Sequence, residues 1–239
     1  MLWIVFTAFG ALSLACFLWF RDENGNVKAL LFKTLTSIFF ILTALSRLQE
    51  FNALSNENKL FFVLITGGLL FGLIGDISLD LKFIDKPNAD AYTFGGMGTF
   101  AVGHILYIAA VICFFGLSLS ATLISFAAAL ALAAAIIVTT LKIMKFDYGK
   151  FIVPASAYSL LLIFFTAVSI AALIEGSWEI QPAAVILTVG SICFLLSDMI
   201  LSMTYFGGKK GRIFIISNHI LYYAAQFLIA LSIGLIRVA

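Results

Sequence analysis

The sequence predicts an all-α, polytopic membrane protein of eight transmembrane helices. Three observations carry that prediction. The 239 residues are 63% apolar and 11% charged, too little charge to coat a soluble domain of this size. The apolar residues come in runs of about 20, the length an α-helix needs to cross a bilayer. A membrane barrel would show alternating strands instead of continuous runs.

The runs fall at about 2–20, 29–48, 60–82, 94–115, 119–141, 152–174, 182–206 and 213–236. Their connections are short, so the chain reads as a single transmembrane domain over 1–239. The first run lacks a basic flank and a small-residue cleavage site, and is kept as a helix rather than a signal peptide. Pro182 opens the seventh run, where its missing N–H costs nothing. Pro154 stands near the start of the sixth, where it is placed to kink the helix.

Charge gives an orientation. Ten Lys and Arg residues, from Arg21 to Arg212, fall in the connections after runs one, three, five and seven. Only Arg47, Lys59 and Arg237 fall on the other side. The positive-inside rule places the first group in the cytoplasm and both termini outside. A bacterial inner membrane is the expected location. The basic residues are scattered over loops that meet lipid headgroups, so nucleic acid is not an expected partner and membrane lipids are. Cys16, Cys113 and Cys193 all lie inside runs and are expected to be free, buried thiols.

Two acids stand where acids are costly. Asp76 lies in FFVLITGGLLFGLIGDISLDL and Asp198 in AAVILTVGSICFLLSDMILSM. A carboxylate in hydrocarbon costs from about 3 to over 10 kcal/mol, so an intramembrane acid marks a functional site by default. Asp80 follows Asp76 by four residues and shares its face. Each acid is followed by the tetrapeptide H-I-L-Y, as His104–Tyr107 and His219–Tyr222, and the chain has no other histidine. These pairings suggest a 4+4 internal repeat. An even number of crossings between the halves would make the repeats parallel. The acids and histidines would then meet in the cytoplasmic half of the bundle, with the histidines as hydrogen-bond partners of the acids.

Other polar residues follow helical spacing. His219, Tyr223 and Gln226 fall at i, i+4 and i+7 of the last run. Lys33 opens the second run, where snorkelling to the surface is one explanation. Gly68 and Gly72 are a small-xxx-small pair among the glycines of runs three and four, which points to close helix packing. Ser197 neighbours Asp198, but no G-x-S-x-G turn accompanies it. Serines in membrane helices mostly bond back to their own helix. No metal is expected, since neither H-x-x-x-H nor H-E-x-x-H occurs. The loop G-G-K-K-G-R at 207–212 lacks the spacing of a phosphate loop.

Taken in order, the motifs resemble the lysoplasmalogenase family, the YhhN-like membrane hydrolases. They are Lys33-Thr34-Leu35-Thr36, then G-L-I-G-D-I-S-L-D, then Gly96, Phe100, Gly103, His104 and Tyr107 at G-x-x-x-F-x-x-G-H-x-x-Y. F-L-L-S-D-M-I-L-S and Y-Y-A-A-Q-F-L-I-A-L-S complete the set. The resemblance implies cleavage of the vinyl-ether bond of a lysophospholipid substrate, a lysoplasmalogen, without a cofactor. It implies Asp76 and Asp198 as the acid pair, with Lys33, His104, Tyr223 and Gln226 in support. Asp80, Tyr107, Ser197 and His219 are added from their positions. Two carboxyls in one dry pocket suit the chemistry, because one can donate a proton while the other faces the cation that forms. The lipid chain is expected among the phenylalanines of runs three, four, six and seven. A proton-coupled membrane transporter of a small amphiphile is the rival reading, and a structural bundle locked by its acids is the third.

Overall fold

The structure is a computed structural model describing residues 1–22, 24–47, 56–176 and 181–235. Its helices are α1 Leu2–Phe20, α2 Val27–Leu45, α3 Asn56–Ile84, α4 Ala89–Phe115, α5 Leu119–Lys142, α6 Ile152–Glu175, α7 Gln181–Tyr205 and α8 Arg212–Ser232. All eight are long and apolar enough to span a bilayer, and no strand occurs among the described residues. The all-helical, eight-span prediction therefore stands. Expected ends at 48 and 236, and Arg237, lie outside the described residues.

The largest boundary differences are at helix starts. α3 begins four residues before the expected 60, and α4 five before the expected 94. Hydropathy finds only the apolar band, and these helices continue beyond it into polar ends such as Asn56 and Asp90. α2 begins at Val27 because Asn26 caps it, its side chain accepting from the Ala29 N–H at 2.9 Å. Pro154 and Pro182 sit in the first turns of α6 and α7, where no intrahelical N–H is lost.

The helices pack in the same order in both halves. α1 lies on α2, α2 on α3 and α3 on α4; α5 lies on α6, α6 on α7 and α7 on α8. Across the halves, α4 meets α6 and α2 meets α8. This is a likeness of packing order, and the side chains around the two acids differ. α1 and α5 are outermost, with 17% of each apolar window buried against 44% for α2 and α8. The three thiols are free, but Cys113 is exposed on α4 and the other two are only part-buried. The expectation of buried thiols is corrected: an apolar thiol can face lipid as readily as a methyl group.

Glycine sets the closeness of α3 and α4. A side chain at Gly68 would enter the ring of Tyr107, one at Gly75 would lie 2.6 Å from Phe100, and one at Gly103 would lie 3.1 Å from the Gly68 carbonyl. Close approach replaces the hydrophobic effect as the cohesive force between helices in lipid. Gly68→Val is expected to cost about 1–3 kcal/mol by overpacking. Gly98→Ala is the control, because nothing lies within 4 Å of a side chain added there. Melting temperatures in detergent separate the two variants.

The half of the bundle at the N-terminal end of α3 is solid. Phe61, Ile65, Leu69, Tyr107, Phe165 and Leu187 are all less than 2% exposed there. The opposite half holds the polar residues.

Candidate active site

A cavity of about 940 Å³ occupies that half. Its walls come from α3, α4, α6, α7 and α8, and its mouth from Asp22 and Asn24, the 147–151 segment and Lys209–Gly211. Asp76, Asp80, Asp198, Lys33 and His219 all line it. The two acids of α3 and α7 thus face a common space bounded by apolar side chains such as Leu79, Phe100, Leu162 and Phe194.

Asp76 sits in a charged network. The helical spacing of Asp76 and Asp80 turns both toward α2, where Lys33 lies between them. Its Nζ is 3.0 Å from Asp80 Oδ1 and 3.4 Å from Asp76 Oδ1. Arg21 Nη1 donates to Asp80 Oδ2 at 2.9 Å. Two cations therefore face two carboxylates, and all four side chains are under 10% exposed. A buried charge is tolerable only when paired in this way. Asp76 Oδ2 also accepts from Ser37 Oγ at 2.6 Å and from the Tyr222 hydroxyl at 2.7 Å.

Asp198 differs. The Tyr158 hydroxyl donates to Oδ2, and Ser197 Oγ donates to Oδ1 at 3.2 Å. No Lys, Arg or His of the described residues forms an ion pair with it. Asn218 Nδ2 donates to the Ser197 carbonyl at 2.7 Å and ties α8 to this turn of α7. One carboxyl of the cavity is thus neutralised by lysine, while the other meets only neutral hydroxyls.

Several expected residues support the network from behind the wall. The Tyr107 hydroxyl donates to Gln226 Oε1 at 3.0 Å, and Gln226 Nε2 donates to the Tyr222 oxygen at 3.0 Å. A hydrogen-bonded chain therefore runs from α4 through α8 to Asp76. The Tyr223 hydroxyl lies 3.2 Å from the Lys33 carbonyl and 3.3 Å from Ser37 Oγ. Lys33 is 4% exposed and ion-paired, so the snorkelling explanation is corrected: two carboxylates hold its ammonium inside.

The histidines also require correction. His104 Nδ1 bonds to the Phe100 carbonyl at 2.8 Å and His219 Nδ1 to the Ile215 carbonyl at 2.7 Å. The helix carbonyl four residues back is the nearest acceptor, and it takes the ring before any acid does. His104 packs edge-on against Phe194 and Tyr158 behind the cavity wall, and its Nε2 is buried without a hydrogen-bond partner. His219 lines the cavity with its ring 4.7 Å from that of Phe17. Among the described residues, no group of three or more His, Cys, Asp or Glu side chains is arranged to hold a metal ion.

The family model of the YhhN family matches residues 28–233. The chain belongs to the YhhN family. The match begins at the start of α2 and takes in the site residues named above except Phe17, Arg21, Asp22 and Asn24. It bears out the resemblance drawn from the ordered motifs. No curated protein and no solved structure matches the chain.

Within this YhhN protein, four site residues escaped sequence reasoning. Ser37 and Tyr222 had signals: Ser37 shares the face of Lys33 at i+4, and Tyr222 lies three residues after His219. Arg21 reads as a loop cation, yet it turns inward over the Phe17 and Phe83 rings to reach Asp80. Tyr158 carries no signal, since one tyrosine in an apolar run resembles any other. The lining phenylalanines also differ from expectation: Phe83, Phe100 and Phe194 come from α3, α4 and α7, but α6 offers Leu162 and Ile163 instead.

Proposed function

We propose that this YhhN protein hydrolyses the vinyl-ether bond of a lysoplasmalogen, giving a fatty aldehyde and glycerophosphoethanolamine or glycerophosphocholine. The observation that carries the reading is that carboxyls from two helices, Asp76 and Asp198, line one apolar-walled cavity. Membership of a family consistent with a hydrolase supports it. So does the packed core beyond the cavity, which suits a closed reaction chamber better than a path across the membrane.

In this account Asp198 donates the proton. It has no cation to neutralise it, so a proton is what balances its charge in a dry site. The proton goes to the alkenyl carbon distal to the ether oxygen. The double-bond electrons form the new C–H bond, and positive charge is left on the other carbon and the oxygen. Asp76 and the newly ionised Asp198 face that oxocarbenium ion. Water then adds to the charged carbon while Asp198 takes its proton back, as a carboxyl switching from acid to base does in glycoside hydrolysis. The hemiacetal breaks its C–O bond to glycerol, and the departing oxygen gains the proton. One water is consumed and no redox step occurs.

Lys33 braces Asp76 in place, while Tyr222 and Ser37 orient it. Tyr158 fixes the Asp198 carboxyl plane. The mouth lies among the α1–α2, α5–α6 and α7–α8 connections, which together with the helix ends beside them carry eight of the fourteen Lys and Arg residues. The positive-inside rule then sets the site in the cytoplasmic leaflet, with the termini outside. A single-chain amphiphile enters there with its chain against Phe100, Leu162 and Phe194.

The test uses purified protein with alkenyl, alkyl and acyl lysophospholipids of one chain length. Aldehyde is expected from the alkenyl lipid alone. Movement of intact lipid across proteoliposomes with no aldehyde from any of the three would replace the hydrolase with a carrier.

A further inference from the structure

The mouth of the cavity has a charge surplus that the catalytic account does not use. Lys82, on the last turn of α3, lines the cavity and is only partly exposed. Among the described residues no carboxylate lies within ion-pair distance of its Nζ. The ammonium sits instead over the Tyr205 ring, 3.3 Å from the centroid, with the Phe83 ring at 5.0 Å. These rings hold it in place without neutralising it. Tyr205 closes α7, and the turn that follows brings Lys209 and Lys210 to the same mouth. The turn is pinned by the Lys209 amide, which donates to the Met203 carbonyl at 3.0 Å. Neither lysine has an ion-pair partner among the described residues. α8 begins at Arg212, just after Gly211 on the same rim, and the positive end of its dipole adds to theirs.

The other charges at the mouth are accounted for. Lys150 pairs with Asp90, and Arg21 with Asp80. Asp22 and Asp147 line the mouth too, each accepting a backbone amide of its own loop, from Asn24 at 3.0 Å and Gly149 at 3.1 Å. Three lysines against two carboxylates leave the mouth net positive. Apart from the acids and their partners, the inner wall is apolar.

We propose that Lys82, Lys209 and Lys210 form a phosphate-binding site that anchors the phosphodiester of a single-chain lysophospholipid at the cavity mouth. The proposal rests on the reading of the cavity as a lysolipid pocket, and is independent of bond cleavage. Lysine recognises phosphate as a point charge. A partly buried ammonium without a counter-ion is the group that gains most from an arriving anion. The phosphate end then sets how deep the chain reaches, and with it which bond stands beside Asp76 and Asp198. Asp22 and Asp147 are placed to meet the ammonium of a zwitterionic headgroup.

The experiment measures binding of uncleavable 1-O-alkyl-glycerophosphocholine and of 1-O-alkylglycerol with the same chain, using full-length protein in detergent. The wild type should bind the phosphate-bearing lipid about tenfold more tightly, a difference of about 1.4 kcal/mol. In Lys82→Gln/Lys209→Gln/Lys210→Gln the preference should shrink to within about twofold, with alkylglycerol affinity unchanged. Equal affinities in the wild type, or a preference that survives the triple substitution, overturn the proposal. Should the triple variant not fold, the exposed pair Lys209→Gln/Lys210→Gln is decisive. It should cut the preference at least about threefold, and an unchanged preference overturns the site. Glycerophosphocholine without a chain should displace the lipid only weakly; displacement as effective as by the lipid itself would make this a site for free phosphoesters and end the proposal. None of these readings needs aldehyde release, so loss of the hydrolase account leaves them intact.

Discussion

Asp198→Asn is expected to lower aldehyde release by about 10²–10⁴-fold, the range that a general acid contributes. The amide has the carboxyl's shape and keeps an oxygen to accept from Tyr158, with its NH2 toward the Ser197 hydroxyl, which can turn to accept, but it has no acidic proton. Stability should hardly change, because Asp198 takes part in no ion pair among the described residues. The variant should therefore purify in normal yield, melt near the wild type and still bind alkyl lysolipid. Turnover within threefold of the wild type would remove Asp198 from the chemistry. The control is Tyr158→Phe, which keeps the acid but frees its orientation, and should fall between the two.

Lys33→Met is expected to have the largest effect on stability, about 3–5 kcal/mol, the cost of breaking a buried ion pair by removing one partner. The ammonium lies between Asp76 and Asp80, which are one helical turn apart. Without it, two carboxylates share an apolar interior with Arg21 alone, and Arg21 reaches only Asp80. Activity should fall with stability, since Asp76 loses the cation that braces it. Lys33→Met combined with Asp76→Asn should recover part of the stability, because the carboxylate that Arg21 does not reach is then uncharged. Melting temperature in detergent and its coupling in the double variant check this. Additive losses in the double variant would contradict the network.

The two site acids were legible for a simple reason. A carboxylate in an apolar run of 20 residues is costly enough to be conspicuous, whatever its neighbours. The helices were legible from the same contrast, and their ends were misplaced where α3 and α4 carry on past the apolar band. The pairing of Asp76 with Asp80 followed from the helical period. What paired with them did not, because it depends on which helices touch. Lys33 reads equally well as a snorkelling residue until α2 is packed against α3. The histidines misled because their chemistry suits an acid site, while the carbonyl one turn back was always the nearer acceptor. Tyr158 looks like an ordinary member of an apolar helix, and only the closed bundle turns its hydroxyl toward Asp198.

That contrast bears on the division of labour. The H-I-L-Y motifs appear alike in the sequence, and both histidines make the same backbone bond. The tyrosines that close the motifs have different tasks. Tyr222 touches Asp76 directly, while Tyr107 reaches it through Gln226 and Tyr222. The two acids are likewise unequal, one braced by lysine and one by a phenol.

The central claim is that a fixed carboxyl of the cavity protonates the alkenyl carbon. It is tested most directly by running the reaction in D₂O, trapping the aldehyde by reduction as it forms, and locating the label. The account predicts one deuteron at the carbon next to the former carbonyl, in a single configuration. Aldehyde with no label there, or with the label equally in both configurations, would contradict it.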